Sequence, residues 1–402
     1  MSDEREEYPL FTIQKENETF HYFLSYQKTE VSNINFQLVN KPNGEESSST
    51  IINKDNLPEH FKNGIDIVVI DSVNSGIGRK NRDIYQSVIK PIFDQLDIQH
   101  TYLKTTSSDS ITDFAKTLDL TKEHTILLIS GDTSIIELIN GLPKEQGPDK
   151  HDLNLILIPL GTGNALVSSA GVFSEVDAIK NIFSHDKSSF PLYEAQFPQD
   201  SYAPYLNNRP IDKVIFSIVI SWGCHAQMVY RAEAPELRPL GVERFKIAAA
   251  EMFKGKLDYN CDIVILEGGQ EKRFTESTIH KYSSILAVPR LEKNYNVSPD
   301  SQLKKSELHV LEFGDIPLPE FIGLLHEPYK GRAHVDHEKT IYEAVQPGRE
   351  IILRLNEEDE ERSVICADGI SVKVKNALGK EVKIRFLSSD DLNYKLNLVG
   401  LA

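Results

Sequence analysis

The chain has 402 residues, 40% of them hydrophobic and 26% charged, which is enough apolar side chain for two domains with real cores. Its formal net charge of −16 argues against a nucleic-acid partner, which needs a basic face, and against general attraction to anionic membranes. Cys224, Cys261 and Cys366 lie far apart in sequence, so neither a disulfide framework nor a zinc site is expected, and a reducing compartment fits. The N-terminus is acidic and lacks an apolar signal core, and no apolar run approaches the length of a membrane span. The expectation is a soluble cytoplasmic protein, with peripheral visits to intracellular membranes left open.

Residues 1–62 read as a β-rich extension. Residues 8–13, 20–26 and 34–38 alternate in part and are rich in aromatic and β-branched side chains. Residues 41–50, Lys-Pro-Asn-Gly-Glu-Glu-Ser-Ser-Ser-Thr, read as a polar loop. This extension carries no recognisable chemistry.

An α/β pattern spans residues 63–195. Residues 65–70 predict a buried strand, followed by a turn with Gly76 and Gly78 and a helix over 83–96. A second strand at 100–103 ends in Lys-Thr-Thr-Ser-Ser, and a helix follows over 111–118. Residues 126–129, Ile-Leu-Leu-Ile, are unbroken apolar residues, as in a parallel strand covered on both faces. Ser130, Gly131 and Asp132 stop that strand. Ile135, Ile136, Leu138, Ile139 and Leu142 then recur at helical spacing. A fourth strand, 153–158, leads into Pro-Leu-Gly-Thr-Gly-Asn-Ala-Leu and a helical pattern to residue 183. Strand–turn–helix alternation predicts a parallel sheet covered by helices.

Residues 196–402 change character. The apolar stretch 214–222 predicts one long strand, and 239–256 the one clear helix, apolar mostly on one side. Short strands dominate afterwards, among them 261–265, 284–288, 350–355 and 382–386. Their spacing predicts a β-sandwich. The chain is therefore expected to be α/β, with an N-terminal parallel nucleotide-binding domain and a C-terminal β-sandwich.

Four small-residue turns end four successive strands: Ser75-Gly76-Ile-Gly78, Thr105-Thr106, Ser130-Gly131-Asp132 and Gly161-Thr162-Gly163-Asn164. A parallel sheet gathers such turns on one edge, where small residues let backbone N–H groups approach an anion. Neither a Walker A loop nor a three-glycine dinucleotide fingerprint is present. Asp132 has two readings on this stretch alone: a helix-capping carboxylate, or a catalytic one.

The set of motifs resembles the diacylglycerol kinase catalytic domain superfamily, and within it the sphingosine (long-chain base) kinase branch. The resemblance rests on Ser75-Gly-x-Gly78, Ser130-Gly-Asp132 with Glu137-Leu-Ile-Asn-Gly-Leu142, and Pro159-x-Gly-Thr-Gly-Asn-Ala-Leu166. It continues through Ser221-Trp-Gly223, Arg238-Pro-Leu-Gly-Val-Glu-Arg244 and Ala367-Asp-Gly369. It implies ATP and Mg²⁺ in the cleft, a lipid substrate on the second domain, and Asp132 as general base. Ser75, Gly76, Gly78, Thr105, Ser130, Gly131, Thr133, Gly161, Thr162, Gly163 and Asn164 would cradle the nucleotide. Arg238 and Arg244 would neutralise phosphate, and Asp368 would reach the adenosine side. No resident protein-held metal site is expected.

The departures cluster at the active site. Ser72-Val73 replaces an Asn-Pro, Thr133 replaces the glycine after the catalytic Asp, and Ile370 ends an Asp-Gly-Glu. The family's acidic head-group residue has no clean match; Gln227 and Val229 fall at its position, and Glu233 reaches it only through a register shift. Two other readings stay open: a catalytically degenerate binder of lipid or nucleotide, and an NAD-kinase-like enzyme. His334-Val-Asp-His337 lacks a third ligand at metal spacing.

Overall fold

The computed structural model describes residues 5–15, 18–30, 33–42, 50–76, 78–79, 83–144 and 149–400. Most of the polar loop read at 41–50, and Ile77 of the first glycine turn, lie outside the described residues.

The N-terminal region forms a four-stranded sheet from β1 (Arg5–Lys15), β2 (Glu18–Glu30), β3 (Asn33–Pro42) and β4 (Ile51–Ile52), in the order β3-β2-β1-β4. Alternation along β1 and β2 turns Phe11, Ile13, Tyr22 and Leu24 inward. Phe11 meets Phe183 edge-to-face at 5.5 Å, and Phe61 meets Phe93 at 5.5 Å. The sheet thus shares its buried face with the α/β unit that follows.

That unit is built on β5 (Asp66–Asp71), β6 (Thr101–Lys104), β7 (His124–Ser130) and β8 (Asp152–Pro159), parallel and ordered β6-β5-β7-β8. Every residue of β7 is buried, as its unbroken apolar run requires. The helices are α1 (Lys90–Gln95), α2 (Ser110–Ala115), α3 (Asp132–Gly141), α4 (Ala165–Ser169) and α5 (Glu175–Asn181). A π-turn at Tyr85–Ile89 opens the first of them. Asp71 is in register with Lys104 and Ile129, and Ser130 with Pro159. The four strand ends therefore fall on one edge.

The sheet does not end with β8. Lys395–Val399, at the far end of the chain, lies parallel to β8, and β9 (Lys187–Ser189) closes the sheet antiparallel to it. Sequence reading had placed this last strand in the β-rich region. A single short apolar strand carries no mark of which sheet it joins, since that depends on pairing across about 240 residues.

The β-rich region consists of two antiparallel sheets. One runs Lys213–Phe216, Tyr193–Gln196, Glu381–Phe386, Arg349–Leu355, Tyr259–Glu267, Gln270–Arg273. The other runs Arg209–Pro210, Tyr202–Ala203, Ile370–Lys373, Val364–Ala367, Val219–Gly223, Tyr282–Leu286, Leu308–Phe313, Thr340–Val345. The expected single strand over 214–222 is two strands, one in each sheet, broken at Ser217-Ile218. The expected helix over 239–256 is shorter: a 3-10 turn at Arg238–Leu240, then α7 (Glu243–Met252). Two further helices appear, α6 (Cys224–Ala232) and α8 (Leu318–His326). Gly223, at φ +77, turns the chain from strand directly into α6. With no polar loop between them, the sequence shows no boundary there.

Candidate functional site

The shared edge of β5–β8 is packed backbone to backbone. A Cβ on Gly161 would lie 2.4 Å from Gly131 Cα, and one on Gly131 would lie 2.9 Å from Gly161 Cα. Gly76, at φ +62, runs so close to β8 that a Cβ would meet the Leu160 carbonyl at 2.4 Å. The glycines of three motifs are thus each other's neighbours, and only glycine permits the approach. Asn164 closes its own turn in the left-handed region, at φ 55. Its Oδ1 accepts the Gly161 N–H at 3.0 Å, and its Nδ2 donates to the Gly161 carbonyl at 3.0 Å. Thr105 accepts the Val73 N–H at 3.2 Å and donates to the Asp71 carbonyl at 3.2 Å. Its hydroxyl thus holds the β5 and β6 turns together.

Asp132 opens α3, but it does not cap α3. Its Oδ2 accepts the Ala165 N–H at 2.7 Å and its Oδ1 the Leu166 N–H at 3.1 Å. It therefore caps α4, across the edge. Burial pushes its carboxyl above the usual range, and the Ala165 and Leu166 N–H groups oppose that shift. Thr133 follows inside α3 and is exposed, with no positive φ. The β-branched side chain costs no backbone strain there. Its Oγ1 abuts Gly369, where an added Cβ would lie 3.1 Å away.

Asp368, expected on the adenosine side, is buried at 4% exposure and holds backbone. Its carboxylate accepts the backbone N–H groups of Ser217 at 2.6 Å, Ile218 at 3.0 Å and Val219 at 2.6 Å. Those three residues are where the chain crosses between the two sheets, so Asp368 supplies the acceptors that the broken ladder lacks. Burial pushes its carboxyl up to about 7 against those N–H groups, and the neighbouring charge of Asp132 adds to the rise. The structure thus brings Asp132, Thr133, Asp368 and Gly369 to one place.

The arginines meet a carboxylate. Glu233, at the end of α6, accepts Arg244 Nη2 at 3.0 Å on Oε1 and faces Arg238 Nε at 3.3 Å on Oε2. Arg244 also lies over the Phe245 ring at 4.7 Å, and its Nε is buried without a hydrogen-bond partner. Gln227 is not at this place; its Nε2 donates to the Glu361 carbonyl at 3.0 Å, on an exposed surface. Leu240, Val242 and Ile247 stand exposed on the turn and on α7, while on the apolar side of the helix Ala248 is buried and Met252 and Phe253 pack against the core.

Three further groups hold the edge together or line its surroundings, and the sequence motifs assign none of them a role. Arg79 Nε donates to Asp71 Oδ1 at 2.6 Å, and its Nη2 donates to the Ser72 and Ile129 carbonyls, each at 2.7 Å. This buried pair ties the ends of β5 and β7, and the one available signal was a charged residue directly after the glycine pair. Asn140 joins α3 to the β-rich region: its Nδ2 donates to the Ile215 carbonyl and its Oδ1 accepts the Ile215 N–H, each at 2.8 Å. Beside it, Glu137 lines a cavity of about 430 Å³ between α2, α3 and the Lys213–Phe216 strand. Burial, with Asp109 adding, pushes the Glu137 carboxyl up to about 7, while Arg209 and Arg238 oppose the shift.

Among the described residues, no group of three or more His, Cys, Asp or Glu side chains is placed to hold a metal. His334 is buried, with Nε2 2.9 Å from the Val297 carbonyl. No helix among them is long and apolar enough to cross a membrane.

Residues 66–195 match the family model described as the diacylglycerol kinase catalytic domain. Over 100 residues the chain is 33% identical to "Sphingosine kinase 2" of Arabidopsis thaliana, and over 99 residues 30% identical to "Sphingosine kinase 1" of the same plant. Each match covers 24% of this chain and about a fifth of the relative, 21% and 20% respectively. A crystal structure titled as a diacylglycerol kinase from Bacillus anthracis shares the fold with a TM-score of 0.56 at 15% identity. The likeness covers 84% of this chain and 98% of that one. Residues 66–195 thus lie in the diacylglycerol kinase-like superfamily, near its sphingoid-base kinase branch. The mixed α/β architecture, a parallel sheet followed by antiparallel sheets, is that of its solved members.

Proposed function

We propose that this protein is an ATP-dependent lipid kinase that transfers a γ-phosphate to the primary hydroxyl of a sphingoid long-chain base or a related lipid alcohol. The observation that carries the reading is Asp132. It is a half-buried carboxylate at the end of a central parallel strand, on the edge where ligands of such sheets bind. A carboxyl raised by burial is a better proton acceptor than an ordinary Asp. The relatives named as sphingosine kinases support the substrate class, and the division into residues 1–62, 63–195 and 196–402 belongs to the same proposal.

The residues fit a nucleotide. Arg244 holds a buried N–H with no acceptor, and such a donor is costly unless a ligand supplies one. Arg238 and Arg244 would hold phosphate oxygens, and the glycine edge would admit them close to backbone N–H groups. ATP with Mg²⁺ would supply the phosphoryl group and neutralise its charge. Asp132 would orient the lipid hydroxyl and accept its proton. Exposed Leu240, Val242 and Ile247 offer an apolar approach for the lipid, compatible with transient peripheral membrane contact from a cytoplasmic protein.

The second reading is a non-catalytic binder, favoured by one observation: both oxygens of Asp132 already accept backbone N–H groups. The deciding experiment is transfer of labelled phosphate from Mg-ATP to a panel of sphingoid bases, diacylglycerol, ceramide and NAD. Labelled lipid formed by the wild type and lost in Asp132→Asn is the expected result. No transfer to any acceptor would leave the binder reading in its place, and label in NAD would move the protein to a different substrate class.

A further inference from the structure

The two arginines that would hold phosphate are not free in this structure. Glu233 takes one from each side, Arg244 on Oε1 and Arg238 on Oε2. A carboxylate between two guanidinium groups occupies the place an anion would take. The side chains differ in freedom: Arg244 is 13% exposed and Glu233 20%, but Arg238 is 63% exposed. Arg244 is fixed by the Gly241 carbonyl at 3.4 Å and by the Phe245 ring. It is also the group whose Nε lacks an acceptor, so Glu233 satisfies it only in part.

Arg238 bears on the Glu137 carboxyl of α3. Glu233 and Asp368 both add to the burial that pushes the Cys366 thiol up to about 12. The charges of the cluster are thus felt at α3 and at the strand that leads into the Asp368 turn.

We propose that Glu233 is an internal competitor for the phosphate site: it holds Arg238 and Arg244 in the nucleotide-free protein and must surrender them when phosphate binds. This rests on the reading of those arginines as phosphate ligands. It removes Glu233 from the role of a head-group receptor, because a carboxylate already paired with two guanidinium groups has little left for an ammonium. A triphosphate presents several charges to the same arginines and displaces one carboxylate, at a cost in affinity that the competitor sets.

Calorimetric binding of Mg-ATP, and separately of inorganic tripolyphosphate, to the full chain tests this. Glu233→Gln keeps the shape and one acceptor but removes the charge. It is expected to tighten both ligands about two- to fivefold, the upper range for a charge pair with an exposed partner. Glu233→Asp, which retracts the charge by one methylene, should tighten them less. Glu236→Gln is the control: Glu236 pairs with Arg231 on the same turn, 62% exposed, and its loss should change neither affinity. A wild type that binds Mg-ATP with Glu233→Gln and Glu233→Asp binding equally or more weakly would overturn the competitor and leave the nucleotide reading standing. Failure of the folded wild type and of both variants to bind either ligand would overturn the arginines as phosphate ligands, and the competitor with them.

Discussion

Asp132 Oδ2 accepts the backbone N–H of Ala165 at 2.7 Å, so the residue that ends one strand caps the helix that follows the next. Capping and catalysis can therefore be separated. Asp132→Asn retains an oxygen for the cap, whereas Asp132→Ala loses the cap and the charge. The Ala variant should lose about 0.5–2 kcal/mol of stability, the usual worth of a helix cap, and the Asn variant less. If Asp132 is the base, both should lose about 10²–10⁴ in phosphate transfer. Denaturant unfolding and the labelled-phosphate assay, run on both variants, read the two effects independently.

Gly76 and Gly171 both have positive φ, at +62 and +80, but a Cβ at Gly76 meets the Leu160 carbonyl at 2.4 Å while one at Gly171 meets nothing within 4 Å. Gly171→Ala should cost about 1 kcal/mol, the price of the backbone conformation alone. Gly76→Ala should cost at least 1–3 kcal/mol more, on the order of an overpacked core position, because backbone cannot yield as a side chain does. It should also weaken nucleotide binding by moving β8 off the edge. Equal costs for the two substitutions would show that the contact between the glycine turn and β8 relaxes freely.

Asn140 holds the Ile215 backbone by two hydrogen bonds. These join α3, which begins at Asp132, to an edge strand of the β-rich region. Asn140→Ala should destabilise the protein by about 1–3 kcal/mol through the unpaired Ile215 groups. Hydrogen exchange at Ile215 should speed up. If the amide of Ile215 keeps its protection, the two units are held by other contacts.

Asp368 predicts a pH dependence. Its carboxyl lies near 7 when folded, because of burial, and near the ordinary 3.9 when unfolded. Between those values the folded state binds more protons, so this group's contribution to stability falls as pH rises from about 4 to 7. Glu137, also pushed up to about 7 by burial, acts in the same direction. His60 and His225, held near 4 by burial, act oppositely: their contribution is lost as pH falls from about 6.5 to 4. Asp368→Asn should flatten the Asp368 component, up to one proton in slope. It should also lower stability above about pH 7, where the ionised carboxylate accepts all three N–H groups and an amide cannot. Unfolding free energies measured from pH 4.5 to 7.5 on both proteins test this, and an unchanged slope would mean that Asp368 stays ionised.

The strands of the parallel sheet were legible because each carries its own signal. Residues 126–129 are apolar throughout, and both faces of β7 are covered. The glycine turns were equally legible, since parallel strands must end together. The break at Ser217-Ile218 was not. Nothing between Val214 and Trp222 disfavours an extended chain, and the break is held by a carboxylate about 150 residues away. Thr133 stands where the resemblance has a glycine, and its place inside α3 with no positive φ leaves the β-branched side chain without backbone strain.

The sequence by itself determined the strand–turn–helix order, the clustering of small residues and Asp132 at one sheet edge, and the likeness to diacylglycerol and sphingosine kinases. These follow from local periodicity and short motifs, which neighbouring residues set. Only the tertiary structure decided that Asp132 caps α4 rather than α3, that Asp368 staples the crossing between two sheets, that Glu233 holds both arginines, and that residues 395–399 extend the parallel sheet beside β8. Each of those is a pairing between polar groups that no local periodicity specifies, and hydrogen-bond partners are chosen by the distances that folding creates.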